Sequence, residues 1–505
     1  METNTTAVDK KLSAAGVFGN VPCDLSKIDG RLHFIGIGGI GMSALARLLL
    51  GRGIAVSGSD KQANAITDEL ATLGAKIYIG HEASNVGGAS GIVVSTAITG
   101  DNPELNWAKA NKLPIWHRSQ ILTALTKGKK LIAISGTHGK TTTTGMISNL
   151  LIDGDLDPSI VLGGILPLLQ SNCRAGKSDY FIAEADESDG THANLPAGIS
   201  VVTNIEADHL ENYPDGFKQI LATMKVFANL ANTVILCLDD VGCQSIIPEL
   251  KNRVIGYGLK GKTAKTKNVK TIYEFEDTSS SSITAMKVYK DNALLGTINL
   301  AVPGIHNQYN ALATAIVGLE LGLDFQTVAK SLSTFAGVER RFQIIGEAKD
   351  ILIVDDYAHH PTEVVATLQA ARQFVAQGKF AARRIVAVFQ PHQPGRLKDF
   401  WKEFCQSFKN CDLLLVTDVY IARGGAIAGI DSKRFCAEVN HTNCHHIAGP
   451  TAQLACQIKD FLQAHDLVIT IAAGVRITDW LCLESVFFVS FDLGFDFCLV
   501  ATRQS

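Results

Sequence analysis

Residues 131–141 read Leu131-Ile132-Ala133-Ile134-Ser135-Gly136-Thr137-His138-Gly139-Lys140-Thr141. The apolar run predicts a buried strand, and the glycine turn after it opens a threonine-rich helix. The turn ends in the Gly-Lys-Thr of a phosphate loop, in which backbone N–H groups surround phosphates, lysine supplies positive charge and the hydroxyl reaches Mg²⁺. Residue 134 is Ile where a strict Walker motif has Gly. We therefore predict a nucleoside triphosphate site on a unit that begins near residue 130.

A second glycine turn occurs earlier, at Gly36-Ile37-Gly38-Gly39-Ile40-Gly41. It fits the pattern G-x-G-x-x-G between a predicted strand and a predicted helix, where glycines let a diphosphate approach a helix N-terminus. Asp60 follows the next strand, where such folds place a ribose-binding carboxylate. Alone, this turn suggests NAD binding, or close glycine packing without a ligand. A diphosphate site and a triphosphate site in one chain instead favour a ligase that energises one nucleotide-linked substrate with another nucleotide.

Length and charge limit the possible classes of protein. The 505 residues indicate about three domains. Lys and Arg number 46 and Asp and Glu 49, giving a net charge of −3, so we expect neither nucleic acid nor membrane as a partner. The 11 cysteines form no CxxC pair and the N-terminus lacks a signal-peptide pattern, which predicts a cytoplasmic protein with reduced thiols. Nothing in the sequence indicates the oligomeric state.

Short apolar runs alternate with helix-period stretches from Leu32 onward, which predicts an α/β fold with parallel sheets. A third α/β unit begins after Phe335-Ala336-Gly337. Its strands are predicted at Ile351 to Val354, Ile385 to Phe389, Leu413 to Val416 and Leu467 to Ile471.

Two predicted strands of the second unit end in polar clusters. One cluster contains Glu184, Asp186, Glu187 and Asp189, and the other contains Asn204, Asp208 and His209. Hard oxygen ligands at adjacent strand ends facing a phosphate loop suit Mg²⁺-nucleotide chemistry. A solvated acidic loop and a structural histidine are the alternatives.

Three later segments also carry candidate groups. Asn307 and Asn310, near the start of a predicted helix, could read a purine or cap the helix. Arg340 and Arg341 could neutralise phosphate or lie on the surface. The run from Asp355 to Glu363 places many ionisable groups at one strand end, which is typical of a functional site.

Together these motifs resemble the Mur ligases of peptidoglycan synthesis, over roughly Leu32 to Ala473. The runs that carry the resemblance are Gly36 to Ala46, Gly136 to Thr144, Glu184 to Asp189, Asn204 to His209, His306 to Asn310 and Asp355 to Glu363. The resemblance implies a Rossmann-like UDP-sugar domain at 1–129, a central P-loop ATPase-type parallel-sheet domain at 130–334, and a Rossmann-like amino-acid domain at 335–480. The tail at 481–505 matches no part of the pattern.

Within the family, the chain is most similar to members that join L-alanine to the lactyl carboxylate of UDP-N-acetylmuramate. The implied chemistry uses ATP and Mg²⁺. The carboxylate is phosphorylated to an acyl phosphate, which the neutral amine of L-alanine then attacks.

The resemblance also implies roles for residues, carried over by position. For ATP they are Gly136, Thr137, His138, Gly139, Lys140, Thr141, Thr142, Asn307, Asn310, Arg341 and Asp356. For the UDP-sugar they are Gly36, Gly38, Gly39, Ile40, Gly41 and Asp60. For the metal they are Thr141, Glu184 and His209, and for catalysis Lys140, His209, His359 and Arg396.

Two positions depart from the family pattern, and several alternatives stay open. Gln393 stands where the family usually has an arginine, and Ala472-Ala473-Gly474 stands where it has Gly-Ala-Gly. The alternatives are a ligase that attaches a murein tripeptide, a folylpolyglutamate-type ligase, a non-catalytic nucleotide-binding regulator and a NAD dehydrogenase. The glycine turn at Gly36 argues against the folylpolyglutamate type.

Overall fold

The computed structural model describes residues 22–474 except 189, 264–265, 267, 281–282 and 422–424. The tail predicted at 481–505 and Asp189 therefore lie outside the described residues. The chain forms two compact units, which divide between Glu339 and Arg340. In the part of the chain that is described, no helix is long and apolar enough to cross a membrane.

The first unit begins with a five-stranded parallel sheet, in the order β3-β2-β1-β4-β5. Its strands are β1 (Arg31–Ile35), β2 (Ala55–Asp60), β3 (Lys76–Ile79), β4 (Ala89–Val94) and β5 (Ile115–His117). Its helices are α1 (Ile40–Gly51), α2 (Ala65–Thr72), α3 (Pro103–Ala110) and α4 (Arg118–Thr126). Helices cover both faces of such a sheet, so side chains on both sides of its central strand are buried, as the adjacent residues Phe34 and Ile35 show.

A ten-stranded sheet follows in the same unit, in the order β15-β14-β13-β12-β11-β10-β6-β9-β7-β8. Its strands are β6 (Lys130–Ser135), β7 (Ser159–Leu166), β8 (Ser171–Arg174), β9 (Tyr180–Glu184), β10 (Ile199–Val202), β11 (Thr233–Cys237), β12 (Arg253–Leu259), β13 (Thr271–Asp277), β14 (Thr284–Lys290) and β15 (Ala293–Leu300). Its helices are α5 (Lys140–Asp153), α6 (Phe217–Asn229), α7 (Val241–Ile246), α8 (Ile305–Glu320) and α9 (Phe325–Thr334).

The second unit contains a six-stranded sheet, in the order β16-β17-β21-β18-β19-β20. Its strands are β16 (Gln343–Ala348), β17 (Ile351–Asp356), β18 (Arg384–Gln390), β19 (Leu413–Thr417), β20 (Cys444–Ile447) and β21 (Asp466–Ala472). Its helices are α10 (Pro361–Ala376), α11 (Pro394–Asp399), α12 (Trp401–Gln406), α13 (Ser432–Glu438) and α14 (Thr451–Lys459). On one face of this sheet, Phe389 packs against Phe404 and Phe408, with ring centroids 5.5 and 5.0 Å apart.

The predicted α/β class and the predicted strands are confirmed, but the central sheet is not wholly parallel. At its edges β8 pairs antiparallel with β7, and β14 pairs antiparallel with both β13 and β15. In the third sheet β16 pairs antiparallel with β17. In β13 and β14, buried residues alternate with more exposed ones over much of the strand. That alternation is typical of a half-solvated antiparallel strand, and it lacks the continuous apolar run that identified the other strands.

A buried carboxylate ties together the end of the first sheet. Glu104 is fully buried on α3. Its Oε2 accepts from Ser59 Oγ at 2.5 Å and lies 3.1 Å from His81 Nδ1, while its Oε1 accepts from Asn85 Nδ2 at 2.8 Å and lies 3.5 Å from His33 Nε2. Burial opposes ionisation, but these hydrogen bonds outweigh it and hold the pKa of Glu104 below its ordinary value. The carboxylate therefore connects α3 with β1, β2 and the segment after β3.

Replacing Glu104 by Ala should leave several buried donors without an acceptor and cost about 3 kcal/mol of unfolding free energy. We expect the unfolding temperature, measured by scanning calorimetry, to fall by at least about 5 °C. Glu82→Ala, at an exposed position of the same sheet's connections, should change it by less than about 1 °C. Equal shifts for the two variants would contradict this role.

Candidate active site

The phosphate loop between β6 and α5 adopts a backbone that requires glycine. Gly136 and Gly139 have φ of 133° and 82°, a region that other residues rarely enter. A Cβ at Gly136 would collide with Thr203 Oγ1, and one at Gly139 would lie 2.7 Å from Asn310 Oδ1. The loop therefore has the predicted form, and Asn310 lies directly against it.

The residues after β10 hold this loop in place. The His138 N–H donates to Asn204 Oδ1 at 2.8 Å, and Asn204 Nδ2 donates back to the His138 carbonyl at 3.0 Å. The Glu206 N–H donates to Thr137 Oγ1 at 2.8 Å. Asn204 was considered among the hard oxygen ligands, but both ends of its side chain contact the His138 backbone. Its role is to shape the phosphate loop.

The Lys140 ammonium lies inside the loop with its charge compensated. Its Nζ donates to the carbonyls of Gly136 and Thr137 at 2.6 and 3.0 Å and to Glu187 Oε1 at 2.8 Å. Burial favours neutral lysine, but the charges of Glu187, Asp186 and Glu184 outweigh it and raise the pKa of Lys140. Burial raises the pKa of Glu187 to about 7 against the opposing charge of Lys140. A permanent positive charge is thus available in the loop for an anionic ligand.

Two of the three predicted metal ligands lie together at the start of α5 and the end of β9. Thr141 Oγ1 donates to Glu184 Oε1 at 3.0 Å, and Glu184 Oε2 accepts from the Gly163 N–H at 2.7 Å. Hydroxyl and carboxylate oxygens are the donors that Mg²⁺ prefers, so this pair fits a divalent cation next to bound phosphates.

The third predicted metal ligand, His209, lies on the segment after β10. It has a left-handed backbone with φ of 53°, and its Nε2 is 3.5 Å from Asp208 Oδ2. Its charge contributes to lowering the pKa of Asp186 and opposes the rise that burial causes in the pKa of Glu187, so it faces the same acidic cluster. For Asp186, burial opposes ionisation, but the charges of Arg118, Lys140 and His209 hold its pKa far below the ordinary value.

Asn307 and Asn310 are buried on the first turns of α8. Asn307 Nδ2 donates to the Pro303 carbonyl at 2.6 Å, and Asn310 Nδ2 donates to Asn307 Oδ1 at 3.3 Å. The N-cap of α8 is Gly304, so the alternative that these asparagines cap the helix is wrong. Their contact with adenine stays a prediction.

The first glycine turn is shaped by the residues at the end of β2. The N–H groups of Gly36 and Ile37 donate to the Ser59 carbonyl at 2.8 and 3.0 Å, and the Gly38 N–H donates to Asp60 Oδ2 at 2.9 Å. Gly39 is the N-cap of α1 and supplies no side-chain cap. Asp60 thus fixes the turn, and its contact with a ribose stays a prediction.

In the second unit, Asp356 lies buried at the end of β17. Its Oδ1 accepts from the Ala358 N–H at 2.8 Å and its Oδ2 from the Phe342 N–H at 2.7 Å. Burial raises the pKa of Asp356 to about 6, against the opposing charge of Arg341. Arg341 itself lies 3.8 Å from Glu363, measured from Nη1 to Oε1.

The remaining predicted residues, His359 and Arg396, lie near His392, a residue that the sequence motifs do not predict. The rings of His359 and His392 have centroids 6.1 Å apart, and Arg396 Nη1 lies 3.4 Å from His392 Nδ1. His392 also stacks on Tyr420 at 5.6 Å. The signal for His392 was its place just after the apolar strand β18, where α/β folds put ligand groups.

The pKa of Asp356 predicts a specific pH dependence of stability. Its pKa rises on folding from 3.8 to about 6, so folding favours the protonated form. The resulting stabilisation is complete below about pH 4 and is lost as the pH rises through about 6, by about 3 kcal/mol. In urea denaturation at pH 4, 5, 6 and 7, the free energy of unfolding of Asp356→Asn should not show this fall with rising pH. Asp399→Asn, at an exposed position, should show the same fall as the wild type. Parallel pH profiles for wild type and Asp356→Asn would contradict the assignment.

Comparison with known proteins identifies the family. Three family models match in succession: the Mur ligase family catalytic domain at residues 31–130, the Mur ligase middle domain at 134–318, and the Mur ligase glutamate ligase domain at 340–474. The UDP-N-acetylmuramate–L-alanine ligases of Desulfosudis oleivorans and Pelobacter propionicus are 40% and 41% identical to the chain, over 88% of the chain and 95% of each relative.

Solved structures agree with this match. The crystal structure of UDP-N-acetylmuramate-alanine ligase from Thermotoga maritima has a TM-score of 0.74 and 27% identity, covering 90% of this chain and 97% of that one. A murein peptide ligase from Psychrobacter arcticus has a TM-score of 0.66 at 20% identity, covering 90% and 98%, which shows the shared fold. With family models matching most of its length and relatives about 40% identical along nearly all of theirs, the chain belongs to the Mur ligase family.

Proposed function

We propose that this enzyme joins L-alanine to the lactyl carboxylate of UDP-N-acetylmuramate, using ATP, through an acyl phosphate. The observation that carries the proposal is the buried Lys140 ammonium in a phosphate loop beside carboxylates, in the same compact unit as the glycine turn at Gly36. The identity of about 40% to ligases named for this reaction supports the same substrates.

The reaction requires positive charge where two anions meet. A carboxylate does not accept an amine at neutral pH until one of its oxygens becomes a leaving group. Its oxygen must therefore first attack the γ-phosphate of ATP, which breaks the bond to the β,γ-bridging oxygen and releases ADP. Lys140 would bind the transferring phosphate, and Mg²⁺ held by Thr141, Glu184 and His209 would supply further charge stabilisation. The neutral amine of L-alanine then displaces phosphate from the acyl phosphate and forms the amide.

We assign the remaining ligand contacts to the three predicted domains in turn. We assign the UDP-sugar to residues 1–129, with Gly36, Gly38, Gly39, Ile40, Gly41 and Asp60 as its contacts. We assign ATP to residues 130–334, with the loop from Gly136 to Thr142 at the phosphates and Asn307 and Asn310 at adenine. In residues 335–480, Asp356 would contact the ribose, Arg341 a phosphate, and His359 and Arg396 the amino acid. Since the substrates are intracellular metabolites, we also propose a cytoplasmic location.

Attachment of a murein tripeptide in place of L-alanine is the alternative that needs an experiment. Both reactions use the same UDP-sugar and ATP and differ in the acceptor. Phosphate release with UDP-N-acetylmuramate and Mg·ATP should be measured with L-alanine, glycine, L-serine and the tripeptide. We expect the highest kcat/KM with L-alanine. Turnover with the tripeptide alone would overturn the proposal.

Lys140→Ala should lower the rate of phosphate release by about 10² to 10³-fold, because it removes the cation at the transferring phosphate. The exposed Lys127→Ala should retain wild-type activity. Full activity in Lys140→Ala would show that the loop does not bind the reacting phosphate.

Asn204→Ala should raise the KM for ATP by about 10- to 100-fold, because the His138 backbone loses both of its contacts with Asn204. The KM for UDP-N-acetylmuramate should change by less than about threefold. Asn229→Ala is the matched control, because it removes a half-buried amide at the end of α6 that also contacts backbone groups, donating to the Glu249 carbonyl and accepting from the Lys251 N–H. An unchanged KM for ATP would mean that the loop keeps its form without Asn204.

A further inference from the structure

Arg118 lies between the two ligand regions of the first unit. It is the first residue of α4, directly after β5 of the first sheet. Its Nη2 is 3.0 Å from Oδ2 of Asp186, which follows β9 of the second sheet in the acidic cluster beside Lys140. The side chains of Arg118 and Asp186 are only 22% and 34% exposed. One guanidinium therefore connects the sheet of the first glycine turn with the catalytic cluster.

The third glycine of the first turn gives this guanidinium its space. Gly41 is the second residue of α1, and a Cβ there would lie 3.1 Å from Arg118 Nη1. In dinucleotide-binding turns the third glycine allows a helix to pack closely on a strand. In this chain the atoms that a Cβ at Gly41 would approach belong to the Arg118 side chain. Gly41 and Arg118 thus form one structural feature.

The contact between Gly41 and Arg118 places the positive charge of the guanidinium at the N-terminal end of α1. The first N–H groups of a helix have no partner four residues back, and here the N-cap Gly39 supplies no side chain to them. The planar guanidinium carries five donors and binds phosphate oxygens through more than one of them. Its Nη1 lies against the first turn of α1 while its Nη2 contacts Asp186.

We propose that Arg118 binds the diphosphate of the UDP-sugar at the first turn of α1 and, through Asp186, positions that substrate relative to the catalytic cluster. This assignment rests on the proposed function, because it takes UDP-N-acetylmuramate as the ligand of the first sheet. It gives Arg118 a role that a solely structural ion pair would not have. An ion pair alone would affect stability, whereas a diphosphate ligand affects affinity for UDP itself.

The test measures binding of UDP, without ATP, by isothermal titration calorimetry. Arg118→Met should weaken UDP binding by about 10- to 100-fold, and Arg118→Lys should recover part of that loss. Gly41→Ala should also weaken UDP binding, because the added methyl group displaces the guanidinium. In steady-state assays, Arg118→Met should raise the KM for UDP-N-acetylmuramate by a similar factor and change the KM for ATP by less than about threefold.

Arg52→Met is the matched control, since Arg52 lies at the other end of α1 and donates to the Leu125 carbonyl. It should bind UDP as the wild type does. If Arg118→Met and Arg118→Lys are folded and bind UDP with wild-type affinity, the assignment of Arg118 is overturned and the proposed function stands. If the wild type binds neither UDP nor UDP-N-acetylmuramate, the proposed function fails, and this inference fails with it.

Discussion

The Lys140 ammonium is enclosed by two loop carbonyls and the Glu187 carboxylate, and its side chain is only 13% exposed. A buried charge without partners would be strongly destabilising, so the loop, β9 and its acidic continuation must all be in place together. Parallel pairing of β6 with β9 and β10 meets this requirement, because it brings the carboxyl ends of three strands to one edge. The order of strands at the centre of the sheet is thus inseparable from the placement of this charge.

Further charged groups besides the Lys140–Glu187 pair interact in the site. Lys140 and His209 act on the carboxylates of both Asp186 and Glu187, and Arg118 acts on Asp186. The pKa values of the two carboxyl groups move in opposite directions. Glu187 is the more buried of the two and titrates near neutrality, while Asp186 stays ionised. The near-zero net charge of the chain is therefore compatible with a local concentration of opposite charges around the phosphate loop.

The residues that carry the chemistry of the site can be predicted from the sequence more completely than the residues that hold them in place. Lys140, Thr141 and Glu184 were recognisable because phosphate binding needs those residue types next to a strand end. From the sequence alone, Asn204 is predicted to be an oxygen ligand. Only the folded backbone shows that both ends of its amide contact His138. Arg118 carries no local pattern, since its partner Asp186 is distant in sequence. For His392 the one signal is its place just after β18, and its contacts with Arg396 and Tyr420 appear only in the folded structure. The antiparallel edge strands are not predicted, because they lack the continuous apolar run by which the buried strands are recognised.

The backbone conformation of Gln393 affects which exchanges of residue this position can accept. It has φ of 73° at the start of α11, a strained backbone for any residue with a Cβ. Glutamine and the arginine common in the family would bear the same backbone strain there. Backbone strain therefore does not distinguish the two residues, and their exchange changes the charge three residues before Arg396. A charge can therefore be gained or lost at this position without any change in the backbone strain that the turn before α11 already carries.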